Sequence, residues 1–156
     1  MNIRDAIRES YLAREFSEEQ LDQLVAIAEV RTFADGEPIL RQFEQNQDVF
    51  ILASGRAEIL TVIGDTIGTV RPGMPLGEMS FLDGRPRSVS VLSEGDSEVV
   101  VLPADTFRKI LDDRPDIELT TLRNMSVVLC ERLRAANNNI AAFMALDDNE
   151  SLAVRG

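Results

Sequence analysis

The sequence predicts an α+β protein with helices at both ends of the chain and antiparallel strands between them. Apolar residues recur at helical spacing in residues 1–29 and from residue 103 onward, whereas 30–102 alternates apolar and polar residues between Gly, Asn, Asp and Pro. A length of 156 residues with 44% apolar residues suits one domain with a sizeable core. We therefore expect a single domain, with strands in 30–102, C-terminal helices in 103–146 and a polar, disordered tail in 147–156.

Two helices are predicted before the strands. The first is amphipathic and runs from about Ile3 to Glu15, with apolar residues at Ile3, Ala6, Ile7, Tyr11 and Leu12. Ser17 followed by Gln20 is the pattern of a capping box, which predicts a second helix from there to about Ala28. We expect both helices to pack against the sheet.

Turn signals divide the strand region. Gly64-Asp65 separates the alternating segments 58–63 and 66–70, which predicts a hairpin. Two further strands, 90–92 and 98–102, are predicted on either side of the turn-rich segment 93–97.

The segment 76–89 has the residue types of an anion-binding site. Gly77 allows the backbone to approach a ligand closely, and the residues after Glu78 can place N–H groups at the start of a short helix, where an anion is favoured. Arg87 offers a planar fork that donates two parallel hydrogen bonds to a phosphate, and Ser88 adds a hydroxyl donor. A phosphodiester fits this set of groups.

The order of these residues resembles the phosphate-binding cassette of cyclic nucleotide-binding domains. That pattern is Gly-Glu-apolar-small-apolar followed, after a gap, by Arg-Ser/Thr/Ala-apolar, and it reads here as Gly77-Glu78-Met79-Ser80-Phe81 and Arg87-Ser88-Val89. Two upstream segments, 35–40 and 49–56, are similar to two further blocks of the family and occur in the same order. The resemblance covers most of the chain and is to domains of the catabolite activator and protein kinase A regulatory subunit type.

The resemblance implies a fold and a ligand site. The implied fold is an eight-stranded antiparallel double-sheet β-roll, jelly-roll-like, with N-terminal helices and a long C-terminal helix. In the family the position of Glu78 bonds the ribose 2′-hydroxyl, and the position of Arg87 bonds the cyclic phosphate. The expected cyclic nucleotide-binding residues are Gly77, Glu78, Met79, Ser80, Arg87, Ser88, Val89, Val70 and Asn137.

Some of these positions have more than one interpretation. Val70 and Val89 are expected on the apolar wall of the pocket, although each also suits an ordinary core valine. Phe81 stands where relatives relay movement of the cassette to the C-terminal helix, although it also suits plain packing. Relatives usually have Gly in the turn after the second strand, where this chain has Phe43, so we expect a reshaped loop in which Asn46 tolerates a left-handed conformation.

The C-terminal region predicts two helices separated at Pro115. A short helix begins at Pro103-Ala104-Asp105 and a long one covers about 116–146. The long helix has a seam at alternating intervals of four and three, formed by Leu122, Ser126, Leu129, Leu133, Ala136, Ile140 and Phe143. This seam predicts a homodimer; a helix packed only on its own roll, with a frayed end, is the alternative.

Asn137 is the residue expected to contact the base. It falls where the resemblance to the catabolite activator places a hydroxyl that contacts adenine, and an amide can both accept from and donate to adenine. The alternative is a surface asparagine beside Asn138 and Asn139.

Composition excludes several function classes. A net charge of −11 argues against nucleic acid as a partner, and no room for a helix-turn-helix is expected within the chain. The chain has no histidine and only one cysteine, which argues against zinc sites and histidine-based catalysis. We expect that cysteine, Cys130, to be buried. No apolar run approaches the roughly 20 residues of a membrane span, and no leader is visible, so we expect a cytoplasmic protein without direct membrane insertion.

Two functions remain open at this point. The first is a regulatory sensor that binds cyclic AMP or cyclic GMP and acts on an effector protein that the sequence does not identify. Cyclic AMP is favoured because serine at the position of Ser88 is common in bacterial members that bind it. The second is a ligand-free interaction or oligomerisation module of the same fold, in which only the long C-terminal helix matters. For Glu78 and Arg87 themselves, the alternative to a ligand contact is an ion pair that closes a loop. We expect no catalytic residues, metal or cofactor for either function. The two carboxylate pairs that could suggest catalysis, Asp112-Asp113 and Asp147-Asp148, are typical of solvated surface.

Overall fold

The computed structural model describes the backbone of residues 2–155 and the side chains of residues 2–140. The helices are α1 (Ile3–Glu9), a 3₁₀ turn (Tyr11–Ala13), α2 (Glu18–Ile27), α3 (Glu78–Asp83), α4 (Ala104–Asp113) and α5 (Pro115–Arg155). The strands found in the described part of the chain are β1 (Glu29–Phe33), β2 (Pro38–Leu40), β3 (Val49–Leu60), β4 (Thr66–Val70), β5 (Pro75–Leu76) and β6 (Ser90–Leu102).

All strand pairs are antiparallel, and the long strands β3 and β6 form the centre of the sheet. The order is β1-β6-β3-β4, with β2 pairing with β6 and β5 pairing with β3. β3 and β6 pair along their whole length, from Val49 opposite Leu102 to Leu60 opposite Ser90. The core that they cover is apolar and consists of Ile39, Leu40, Phe50, Leu52, Ala57, Val70, Leu76, Val91, Val99 and Val101.

The strand count corrects the expectation of eight separate strands, since six are found in residues 2–155. The predicted turn at 93–97 is wrong, because these residues lie inside β6. β3 changes register on both sides of Ser54, and Gly55 there has φ +89°. A β-carbon on Gly55 would lie 2.5 Å from the Asp96 carbonyl oxygen. Glycine at this position avoids that clash, so β3 can form a bulge against β6 while both strands continue in the sheet.

Two local predictions before and within the sheet are confirmed. The Ser17–Gln20 capping box is present, and β3 and β4 form the hairpin around Gly64. The first helix is shorter than predicted, because Ser10 adopts an extended conformation (ψ 147°) and ends α1 at Glu9. A 3₁₀ turn then continues the path.

The chain forms two units, residues 1–124 and 125–156, and α5 runs through the boundary. In the first unit the Asn124 amide donates to the carbonyl oxygens of Leu12 (3.0 Å) and Arg14 (2.9 Å), which fixes the start of α5 to the 3₁₀ turn. In the second unit all residues of 130–140 are exposed. The expectation of a buried Cys130 is therefore wrong, because this stretch of helix is exposed on every side.

The prediction of a disordered tail at 147–156 and the seam position Phe143 lie outside the residues whose side chains are described. As far as the described residues go, no helix combines the length and apolar character that a bilayer span requires. The same residues include no cluster of three or more His, Cys, Asp or Glu side chains placed to hold a metal ion.

Candidate functional site

The cassette is a short helix bounded by two left-handed glycines. β5 pairs with the start of β3, where Leu76 lies opposite Phe50, and the chain then turns at Gly77 with φ +79°. Gly77 is the N-cap of α3, and Gly84, with φ +71°, ends the helix after six residues. These two positions require a residue that tolerates positive φ, which explains why both are glycine.

Arg87 is buried at the centre of the cassette, with 2% of its surface exposed. Its Nη1 donates to the Gly77 carbonyl oxygen at 2.9 Å, and its Nη2 donates to the Asp48 carbonyl oxygen at 2.7 Å and to Asn46 Oδ1 at 3.2 Å. The guanidinium carbon lies 5.6 Å from the centre of the Phe50 ring. Nε is buried and has no hydrogen-bond partner. One N–H of the arginine is therefore available to an acceptor that the protein does not supply.

Burial also affects the charge of this arginine. Removal from water lowers the pKa of Arg87, and the nearby carboxylates of Asp48, Glu44 and Glu78 oppose this shift in that order. A buried guanidinium is stabilised when an anion bonds to it directly. The electrostatics therefore suit an anionic ligand at Nε.

The predicted cassette residues divide into buried and exposed groups. Glu78, with 1% of its surface exposed, and Ser80 are buried with Arg87 at the base of the cassette. Met79 and Ser88 are exposed to solvent. The cassette therefore combines buried polar side chains with two side chains that are open to solvent.

The remaining predicted positions lie elsewhere. Val70 is fully buried in the core between the strands, and Val89 is partly buried and packs against that same core. Asn137 lies in the second unit and is exposed. Its contact with a base stays a prediction.

The loop at residues 41–48 supplies a part of the site that sequence analysis missed. Phe43 N donates to the Arg87 carbonyl oxygen, and Arg87 N donates to the Glu44 carbonyl oxygen, both at 2.9 Å. Together with Asn46 and Asp48, the loop therefore holds the backbone and the side chain of Arg87. The departure at Phe43 had marked this loop as unusual, but nothing in the sequence indicated that it bonds to the arginine.

Phe43 itself takes the left-handed conformation, with φ +71° and 68% of its surface exposed. The expectation that Asn46 would take this role is therefore wrong, because the tight turn that brings the loop back to Arg87 falls on residue 43. A side chain with a β-carbon is strained there. Phe43 thus holds a left-handed backbone conformation that suits glycine better.

Asp48 also connects the site to the helix that follows the sheet. Its carbonyl oxygen accepts from Arg87, and its carboxylate Oδ1 accepts from the backbone N–H of Ala104, the first residue of α4, at 2.8 Å. The α4 N-cap, Pro103, makes no side-chain bond of its own. Asp48 therefore serves as the external cap of α4.

The fold and this site define a cyclic nucleotide-binding domain, and the chain belongs to that family, whose model matches residues 30–114. Among solved structures, a cyclic nucleotide-binding domain from Methylobacillus flagellatus superposes with a TM-score of 0.79 at 23% identity, covering 88% of this chain and 82% of that one. The Cyclic AMP receptor protein of Thermus thermophilus is 28% identical over 123 residues, which are 76% of this chain and 55% of that protein.

Relatives also include an enzyme. Glutaminase 2 of Bradyrhizobium diazoefficiens is 27% identical over 137 residues, which are 88% of this chain and 22% of that protein. The chain therefore spans between about a fifth and about half of the length of these curated relatives.

Proposed function

We propose that this chain is a regulatory module that binds a cyclic nucleotide, prefers cyclic AMP to cyclic GMP, and transmits binding through its C-terminal helix. The observation that carries the proposal is the buried Nε of Arg87, which has no partner in the protein. The cyclic phosphate would accept from this group and from backbone N–H groups at the start of α3. Buried Glu78 would accept from the ribose 2′-hydroxyl.

Membership of the family and the name of the Thermus thermophilus relative support cyclic AMP as the ligand. Ser88 is exposed at the rim, where its hydroxyl is free to reach the phosphate. Val70 and Val89 would line the apolar side of the base and ribose, and Asn137 would bond to adenine. The protein would act in the cytoplasm by binding, without catalysing a reaction, on an effector protein that the sequence does not identify.

A path for transmission starts at Asp48. An anion that bonds to Arg87 would change the strength of the hydrogen bond from the guanidinium to the Asp48 carbonyl oxygen. Asp48 in turn caps α4 through its carboxylate. α4 leads into α5 at Pro115. Binding at the cassette is thereby linked to the start of the long helix through one residue.

A second candidate is a ligand-free interaction module. It is favoured by the fact that both Nη groups of Arg87 already bond to the protein, among three carboxylates that influence its charge. In this alternative the arginine is a structural tie between β5 and the 41–48 loop, and only α5 carries a function.

Calorimetry with cyclic AMP and cyclic GMP distinguishes the two candidates. We expect the parent to bind cyclic AMP more tightly, and Arg87→Lys, which keeps the charge but loses the fork, to weaken binding by about tenfold or more. Arg85→Lys, at an exposed arginine two residues earlier, is the control and should bind like the parent. Asn137→Ala should also weaken binding, with Asn138→Ala as its control.

A folded parent that binds neither nucleotide would establish the ligand-free module instead. Binding is also visible as thermal stabilisation, since ligand at 100 times its dissociation constant contributes about 2.7 kcal/mol. Arg87→Ala is a less specific test, because it removes the donor from two partly buried carbonyl groups and should lower stability as well as affinity.

A further inference from the structure

Arg108 of α4 contacts the far end of the cassette helix, away from the anion site. Its Nη2 donates to the Phe81 carbonyl oxygen at 3.0 Å, and its guanidinium carbon lies 4.8 Å from the centre of the Phe81 ring. The other face of this region is apolar, where the rings of Phe81 and Phe107 stack at 4.8 Å. Arg108 therefore adds a directional hydrogen bond to a contact that is otherwise formed by rings.

Gln47 completes this contact from the 41–48 loop. Its Oε1 accepts from Arg108 Nη2 at 2.5 Å, and its Nε2 donates to the Gly84 carbonyl oxygen at 3.1 Å. The two side chains, which we call the Gln47–Arg108 pair, thus donate to two carbonyl groups at the C-terminal end of α3. Carbonyls at a helix end have no partner within the helix, and α3 has only six residues to hold its position.

From this geometry we infer that Gln47 and Arg108 are positioning residues that fix the C-terminal end of α3 and couple its movement to α4. The coupling rests on the proposed function, since it concerns what happens when a nucleotide binds at the other end of α3. Any shift of α3 must either break these hydrogen bonds or carry α4 and Gln47 of the loop with it. The stacked rings alone permit sliding, whereas the bonds to Phe81 and Gly84 set the register.

Hydrogen exchange of the whole chain, with and without cyclic AMP, tests the inference. Arg108→Met keeps an apolar stem over the Phe81 ring and removes the bonds, and Gln47→Met does the same on the loop side. In the free protein both variants should raise exchange at residues 81–84 about fivefold, the effect expected of one lost hydrogen bond. The controls are Lys109→Met, an exposed neighbour on α4, and Gln45→Met, an exposed glutamine of the loop.

Cyclic AMP should change the exchange of residues 104–113 in the parent and in both controls. In Arg108→Met and Gln47→Met that change should be lost although the nucleotide still binds to Arg87. Arg108→Lys, which can donate to Phe81, should restore part of it, a rescue that a general loss of packing would not show.

The inference is overturned if residues 81–84 exchange as in the controls, or if the response of 104–113 survives in both variants. A parent that binds neither nucleotide overturns the proposed function and with it the coupling to ligand. The exchange of residues 81–84 in the free protein then still decides whether the pair positions α3.

Discussion

The guanidinium of Arg87 lies against the carbonyl group of Gly77, and no side chain fits at residue 77 beside it. Nη1 is 2.9 Å from the Gly77 oxygen. A β-carbon at this position would lie 2.4 Å from Nη1 and 3.0 Å from the Asp48 carbonyl oxygen. The two ends of the cassette are therefore held together by a contact that requires glycine at one end and a forked, fully buried donor at the other.

Gly77→Ala should lower stability more than the same change at a glycine with open surroundings. Gly36 is the matched control, because it has φ +75° against +79° at Gly77 and nothing within 4 Å of an added β-carbon. Gly36→Ala should cost about 1–2 kcal/mol for the left-handed backbone alone. Gly77→Ala should cost about 1 kcal/mol more, because the Arg87 guanidinium must give up its partly buried hydrogen bond to the Gly77 carbonyl oxygen. Urea denaturation measures both; equal losses would show that Arg87 moves aside freely.

Phe43→Gly should stabilise the free protein. Relief of the left-handed strain gains about 1–2 kcal/mol, and the greater freedom of glycine in the unfolded chain offsets about half of that. Little packing is lost, because the ring is mostly exposed. Phe43→Ala is the control for the ring itself: it keeps a β-carbon at φ +71° and should not stabilise. If thermal denaturation shows the same gain for both variants, the ring and not the backbone is responsible.

Sequence predicted the parts of this molecule that depend on local patterns. The Ser17 cap, the hairpin at Gly64 and the order of cassette residues all follow from short-range spacing, and the structure contains each of them. The continuous β6 was missed because Ser93 to Ser97 have turn composition. In the structure Ser93 and Glu94 pair with the bulged β3, and Ser97 pairs with Phe33 of β1. Turn propensity gives way there to contacts that are distant in sequence.

The same limit applies to the site. Arg87 was predicted from its spacing to Gly77, but its bonds to Asn46 and Asp48 cross about 40 residues and have no local signal. The sequence marked Phe43 as unusual. Its left-handed backbone accompanies the two backbone hydrogen bonds that join Phe43 and Glu44 to Arg87, and these bonds have no local signal. Sequence therefore indicated which residues form the cassette and not which residues hold Arg87 in place.

Arg114 should make stability depend on pH at the junction of α4 and α5. It bonds to both carboxylate oxygens of Glu19 at 2.6 and 2.8 Å and to both of Asp116 at 3.0 and 2.9 Å. These bonds lower the pKa of both carboxyl groups, and Gln20 lowers that of Asp116 further. Because the folded pKa values are depressed, the stabilisation is present above the ordinary carboxyl range near 4 and is lost as pH falls through and below it.

The test compares the free energies of unfolding of the parent and Arg114→Met at several pH values. The difference should be largest near pH 7 and should shrink as pH falls below about 4. Lys109→Met removes a single exposed contact with Asp113 and should show a smaller difference at neutral pH. A difference between parent and Arg114→Met that stays constant from pH 7 to pH 2.5 would contradict the role of these ion pairs.

The exposed seam of α5 should mediate dimerisation. Leu133 and Ile140 are 63% and 59% exposed, are seven residues apart, and lie in a stretch whose residues 130–140 are all exposed. Large apolar side chains at this spacing are stabilised when two such helices pack along their seams. Leu133→Glu should therefore give a monomer, since it would bury a carboxylate against its copy.

Val127→Glu is the matched control for the seam, because Val127 is an exposed apolar residue of the same helix that lies off the line of Leu133 and Ile140. It should sediment as the parent does. Measurements belong at about 0.15 M salt, where the repulsion between two chains of net charge −11 is screened beyond about 8 Å. If cyclic AMP acts through α5, it should change the dimer dissociation constant of the parent and leave Leu133→Glu monomeric. A parent that sediments as a monomer at tens of micromolar, with and without cyclic AMP, would show that the seam does not pair.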